Sequence, residues 1–243
     1  MSSLRAVPAP TVPIGTNPPL SDAELAARAG RGDALAFETI MRRHNRLLFR
    51  SARGVVGDDA EAQDVVQETY LRAFEKLHTF RSDARLGTWL ARIAINVALD
   101  IQRKHGRAVP IDDTHDFTNE PAKEHAMAFS APANDGPENA AERNQVRELL
   151  QRAIEGLPAM YRSVFILRAV EEMSVDEAAF CLHISEDVVK TRYLRARAML
   201  REALGAQVEA HTLDVFAFAG ARCDAVVAHV MAELQRRGHI RPG

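Results

Sequence analysis

Apolar side chains recur at spacings of three and four residues through most of this chain, and nowhere do they alternate convincingly in twos. Spacing of that kind lines one stripe of an α-helix, whereas a half-buried strand turns every second residue inward. The pattern predicts an all-α fold, and it comes in two blocks. In the first, three stripes follow one another: Leu35, Phe37, Ile40, Met41, Leu47 and Leu48; then Val65, Val66, Thr69, Tyr70, Ala73, Phe74 and Leu77; then Leu90, Ile93, Ala94, Val97 and Ile101. Leu149, Leu150, Ile154 and Leu157 open the second block, followed by Val164, Phe165, Leu167 and Val170. Between Ile111 and Glu142 the periodicity is lost, and eight acidic residues and three prolines take its place. Like charges without apolar partners predict an extended, flexible linker. Leu213–Phe218 is the only candidate strand.

Capping residues set the expected boundaries. Ser21 with Glu24, and Ser174 with Glu177, stand in capping-box spacing, while Asp33, Asp58 and Ser185 are plausible single caps. Gly54 and Gly57 are expected to break the second helix, and the fourth is expected from about Thr88 to Lys104. The reading divides the chain into a disordered, proline-rich tail (1–20), a helical bundle (21–106), the acidic linker (107–141), a second helical unit (142–204) and an extension of unknown role (205–243). The extension should hold one helix, about Arg222 to Arg237, striped by Cys223, Val226, Val227, Val230, Met231 and Leu234. Such a stripe requires a surface to bury against, either on this chain, with the second helical unit as one candidate, or on a partner.

Several function classes have little support. Two cysteines, Cys181 and Cys223, cannot make a disulfide framework, and a cytosolic compartment fits them. No run approaches the roughly 18 apolar residues of a membrane span, so no membrane insertion is expected. Gly-rich phosphate loops, nucleophile elbows and compact zinc spacings are missing, so neither a cofactor nor a metal is implied, and no enzyme activity. The net charge of −2 names no partner; the distribution of charge is more informative.

Val175–Leu182, the turn His183-Ile184-Ser185 and a long helix reaching about Leu204 read as a helix-turn-helix. In the second helix Val189, Tyr193, Ala196, Leu200 and Leu204 project to one face, for packing. Near its start Glu186, Asp187, Lys190, Thr191 and Arg195 are candidates to read base edges, with Ser185 as cap; Arg192, Arg197 and Arg201 are candidates for phosphate. In the first block the third helix is acidic (Asp58, Asp59, Glu61, Asp64, Glu68) and suits a basic protein. The fourth carries Arg92, Arg103, Lys104 and Arg107, and suits nucleic acid. Trp89, the single tryptophan, lies beside the loop Phe80–Arg85; it serves either the core or a stacked base.

The run Asp58–Phe74 resembles the polymerase-binding helix of region two of sigma factors. Thr79-Phe80-Arg81 and Thr88–Asp100 resemble the melting loop and −10 helix that follow, while Leu157–Phe165 and Val188–Arg197 resemble region four, which reads the −35 element. With nothing like region one or a folded region three between them, the chain resembles the extracytoplasmic-function class. The resemblance implies that Asp64, Gln67 and Glu68 face the clamp coiled coil of the largest polymerase subunit. It further implies that Asn96 and Arg103, with Trp89 and Arg92, lie on the −10 element, and that Phe80, Arg81, Ser82 and Asp83 hold a flipped base. Implied partners are core RNA polymerase, through its beta and beta-prime subunits, promoter DNA, and, as an open question, an anti-sigma factor; the free chain should be monomeric. The linker would either thread the polymerase channels as an RNA mimic or serve as a plain tether. One departure stands out: Val188-Val189 occupies a place where the family often has Thr or Ser before Val. The competing readings are a helix-turn-helix regulator that works without polymerase, and a helical enzyme with an unrecognised site.

Overall fold

The computed structural model describes residues 20–80, 84–106, 147–204 and 220–240. Arg81, Ser82 and Asp83, the acidic linker, the tail before Leu20 and the candidate strand at Leu213–Phe218 lie outside the described residues. Every element among the described residues is helical: α1 (Asp22–Ala29), α2 (Ala34–Val55), α3 (Asp59–Lys76), a short 3-10 turn (Leu77–Thr79) and α4 (Leu86–Lys104). After the linker come α5 (147–155), α6 (Ala159–Phe165) passing into a π-helical turn (Ile166–Val170), α7 (Val175–Leu182), α8 (Glu186–Leu204) and α9 (Ala221–Arg236).

The caps are where the side chains predicted them, because each satisfies amides that a helix start leaves open. Ser21 and Glu24 form a reciprocal box at α1, as Ser174 and Glu177 do at α7. Asp33 accepts from the Ala36 amide at 3.0 Å, Asp58 from Glu61 at 2.8 Å and Ser185 from Val188 at 3.3 Å. His183 takes the left-handed conformation (φ 56°) that turns α7 toward α8.

The first four helices form a bundle around Phe37, Ile40, Leu48, Val65, Tyr70, Leu90 and Ala94, all sealed from solvent. Tyr70 is tied into it by its hydroxyl, which donates to the Met41 carbonyl at 3.1 Å, and by an edge-on contact with Phe37. Two residues assigned to stripes are exposed instead: Leu35 and Leu149. Each stands beside a better-placed apolar neighbour. Leu35 is about 200° around the helix from Phe37, and Leu149 about 100° from buried Leu150.

Gly54 does not break α2; the helix runs through it to Val55. A Cβ there would stand 3.0 Å from the Ser163 Cα of α6. Glycine is used for close helix crossing, and that crossing joins the two halves. α6 packs on α2, and α7 packs on α4. The contact is unusually polar. Arg162 of α6 is 8% exposed and donates to the carbonyls of Gly54 and Val55 at 3.1 and 3.3 Å. Arg53 meets Glu155 at 2.5 Å, and Arg50, 2% exposed, meets Glu171 at 3.1 Å.

The extension does not dock on the second half. α9 packs on α2 and α3, burying Val226, Val227, Val230 and Leu234, while Cys223 and Met231 are only partly covered. The acidic side of α3 supplies the reason, as Arg222 and Arg237 find carboxylate partners on it.

Candidate polymerase and promoter interface

α3 is held by α2, α4 and α9, which leaves one strip of it turned outward. Asp64 is exposed on that strip, and Gln67 and Glu68 are partly exposed beside it. Glu68 bonds Arg72 one turn on at 2.7 Å, Arg72 reaches Asp100 of α4 at 3.3 Å, and Asp100 holds Arg103 at 2.9 Å. This chain of ion pairs links the acidic strip to the basic end of α4. It raises the Arg72 pKa, chiefly through the hydrogen bond that Arg72 donates to Glu68.

On α4, residues 89, 92, 96 and 103 fall on one side at helical spacing. Asn96 and Arg103 are exposed. Trp89 is half-buried and leans on Phe80, ring centres 5.4 Å apart. Arg92 is engaged by the second half. Its guanidinium faces both His183 ring nitrogens at 3.1 and 3.2 Å and lies 3.9 Å above the Phe180 ring. Thr88 donates to Glu177 at 3.0 Å, and the Cys181 thiol donates to the Thr88 carbonyl at 3.4 Å. A cleft lined by Thr79, Arg85, Trp89, Ser174, Glu177 and Phe180 therefore opens between the flank of the Phe80–Arg85 loop and α7. Burial pushes the Cys181 pKa up to about 12 and lowers that of His183, with the Arg92 charge lowering the latter further.

In the helix-turn-helix, α8 packs on α6 and α7 through Val189, Ala196 and Leu200. Ser185, Glu186, Asp187 and Lys190 are exposed, and Thr191, Arg195 and Arg197 are partly so. Lys190 is 3.3 Å from Asp187 and 4.0 Å from Glu186, which offsets charge within the first turn. Tyr193 stacks on Phe165 with Arg168 and Arg197 against its ring. Arg192, which the projection set at the flank of the packing face, is 6% exposed there and so is much less accessible than Arg195 and Arg197. Arg162, Arg53 and Arg50, which join the halves, had no sequence signal at all; each reads as an ordinary surface arginine.

Family models match this geometry in the same order along the chain. Sigma-70 region 2 matches residues 40–108 and sigma-70 region 4 matches residues 147–200. The chain belongs to the sigma-70 family. Its relatives include the ECF RNA polymerase sigma factor SigM of Mycobacterium tuberculosis, 34% identical over 199 residues, 81% of this chain and 91% of the relative. The RNA polymerase sigma-H factor of Pseudomonas aeruginosa is 32% identical over 183 residues, covering 75% of this chain and 93% of that one. Among solved structures, CnrH in complex with the cytosolic domain of CnrY aligns with a TM-score of 0.50 and 29% identity, over 75% of this chain and 96% of that one. The protein is thus a polymerase sigma factor of the extracytoplasmic-function class, not an enzyme and not a free-standing helix-turn-helix regulator. Both family matches stop before α9.

Proposed function

We propose a division of labour within this sigma factor. Asp64, Gln67 and Glu68 on α3 hold a basic surface of core polymerase. Asn96, Arg103, Trp89 and, once released, Arg92 hold the −10 element, with the Phe80–Arg85 loop taking an unpaired base. Ser185, Glu186, Asp187, Lys190, Thr191 and Arg195 enter the −35 major groove, and Arg197 flanks it. The supporting observation is the pair of exposed DNA-sized surfaces, α4 and the start of α8, set on separate helical units of one chain. Domain limits near residues 21–106 and 142–204 follow from the same division, and the factor acts in the cytoplasm, where its template is. No helix among the described residues is long and apolar enough to cross a membrane.

Promoter binding on this reading requires the halves to part. By their names, the two elements lie about 25 base pairs apart, roughly 85 Å along B-DNA. Here α7 rests on α4 and holds Arg92. Opening exposes Arg92 and the cleft beside Trp89, so promoter capture and separation of the halves are one equilibrium. Melting is then driven by binding energy: the flipped base costs a few kcal/mol, which a fitted pocket must offset. Run-off transcription with reconstituted holoenzyme tests the assignment. Asp64→Lys with Glu68→Lys should abolish core binding, and Asn96→Ala with Arg103→Ala should lose promoter opening while core binding persists. Core binding that survives the first pair would remove α3 from the interface.

A further inference from the structure

α9 lies in the groove between α2 and α3 and is built into it at both ends. Arg222, in its first turn, meets Asp59 at 2.9 Å and lies 4.7 Å over the Phe49 ring. Gln63, turned so that its oxygen faces Arg222, accepts from that guanidinium at 2.9 and 3.0 Å. Asp224 pairs with Arg42 at 2.7 Å, and the Cys223 thiol is 2.8 Å from the Asn45 amide. At the other end Arg237 reaches Glu75 at 3.1 Å, and His239 packs on Phe74 at 5.7 Å between ring centres. Asp59 opens α3 and Glu75 nearly closes it, so the two helices run parallel along their full lengths.

Three features bear on how firmly this helix is held. It is attached from the far end of the chain, after the second family match has ended. Its apolar contribution is small, four buried aliphatic residues with Ile240 below them, and its end contacts are half-exposed ion pairs that screening weakens. Its arginines also neutralise the acidic helix that carries Asp64, Gln67 and Glu68, as a basic partner would. On the α3 wheel Gln67 stands about 40° from Gln63, so a partner helix that grips Gln67 meets α9 at once.

We propose that α9 is a competitor carried by the chain itself: it fills the α2–α3 groove in the free protein and leaves it when a basic helix of core polymerase docks on α3. The proposal rests on the assignment of Asp64, Gln67 and Glu68 to the polymerase, and deepens it by defining the groove the polymerase must share. A partner surface rich in Lys or Arg would take over Asp59 and Glu75 as α9 gives them up, so the exchange leaves no carboxylate of α3 stranded.

The test uses the full chain and purified core polymerase. Asn45→Cys places a second thiol against native Cys223, and mild oxidation should lock α9 to α2. Cys181, buried and with its pKa near 12, does not compete for the disulfide. The reduced protein should bind core as the parent does, and the oxidised protein at least tenfold more weakly. Arg222→Glu with Arg237→Glu, which repels α9 from α3, should bind core severalfold more tightly than the parent. Equal core affinity of oxidised and reduced N45C would make α9 a permanent fifth helix and overturn the proposal; failure of the cross-link to form would overturn it equally. Asp64→Lys with Glu68→Lys, added to the Arg222/Arg237 variant, separates the two ideas. If that protein still binds core, the polymerase assignment of α3 fails, whatever the cross-link shows.

Discussion

Arg162 should govern how tightly the two halves hold each other. Its guanidinium donates to Gly54 and Val55 at the end of α2, and to Glu155 and Leu157 on its own side at 3.0 and 3.3 Å. The α2 carbonyls belong to the last turn, which has no intrahelical donors. Burial pushes the Arg162 pKa down, and the neighbouring Arg53 charge adds to this against the opposing pull of Glu155; the cation is held by its hydrogen bonds, not by a paired carboxylate. Arg162→Met keeps most of the stem and removes every donor. Two charge-assisted bonds across the interface are worth about 3–6 kcal/mol gross. Relief from desolvating a cation returns part of that, leaving roughly 2–3 kcal/mol. At 1.4 kcal/mol per tenfold, the closed state should weaken about 30- to 140-fold. Cys181 reports on it, because its thiol is buried against Thr88 in the same interface. When opening is fast relative to reaction, alkylation follows the open fraction. Iodoacetamide labelling of the Cys181 peptide, read by mass spectrometry, should accelerate by that factor with an unchanged helical circular dichroism spectrum. A rate within threefold of the parent's would refute the claim that Arg162 fastens the halves.

Other outcomes follow from the same contacts. Charge reversal of Lys190 with Arg195 should abolish −35-dependent starts in run-off transcription and leave core affinity within twofold; a loss of core affinity would contradict the division between halves. His183 has its pKa lowered from 6.5 by burial and by Arg92, so the closed state favours neutral imidazole. The open form then protonates first, and closure stabilised above about pH 6.5 is progressively lost as pH falls below it; Cys181 labelling, divided by the rate for the same cysteine in the unfolded chain at each pH to remove the loss of thiolate, should rise between pH 7.5 and 5.5, and His183→Gln should flatten that rise. Gly54→Ala gains about 1 kcal/mol of helix propensity but forces a Cβ to within 3.0 Å of the Ser163 backbone. Overpacking against a backbone atom costs about 1–3 kcal/mol, so urea denaturation should show a net loss of about 1 kcal/mol.

Local chemistry made the helices legible. A Ser or Asp that satisfies its own third amide acts within one turn, so the caps at Ser21, Asp33, Asp58, Ser174 and Ser185 could be read without the rest of the molecule. The stripes on α3, α4 and α9 were equally plain, since three-to-four spacing defines a face whatever covers it. The resemblance of Asp58–Phe74, Thr88–Asp100, Leu157–Phe165 and Val188–Arg197 to regions two and four of sigma factors carried the family. Sequence could not say which surface covers each stripe. Gly54 looked like a break and is a crossing point; Arg192, read at the flank of the packing face, is itself buried; the surface that covers α9 was left open, with the second half as one candidate, and α9 lies along α3. These were decided by groups far apart in the chain: the Ser163 backbone against Gly54, the α2 carbonyls around Arg162, and Asp59 and Glu75 opposite Arg222 and Arg237. Periodicity and capping are properties of one helix, fixed by neighbours within four residues. Which faces meet is a competition among many burial and pairing energies of similar size, and only the folded chain resolves it.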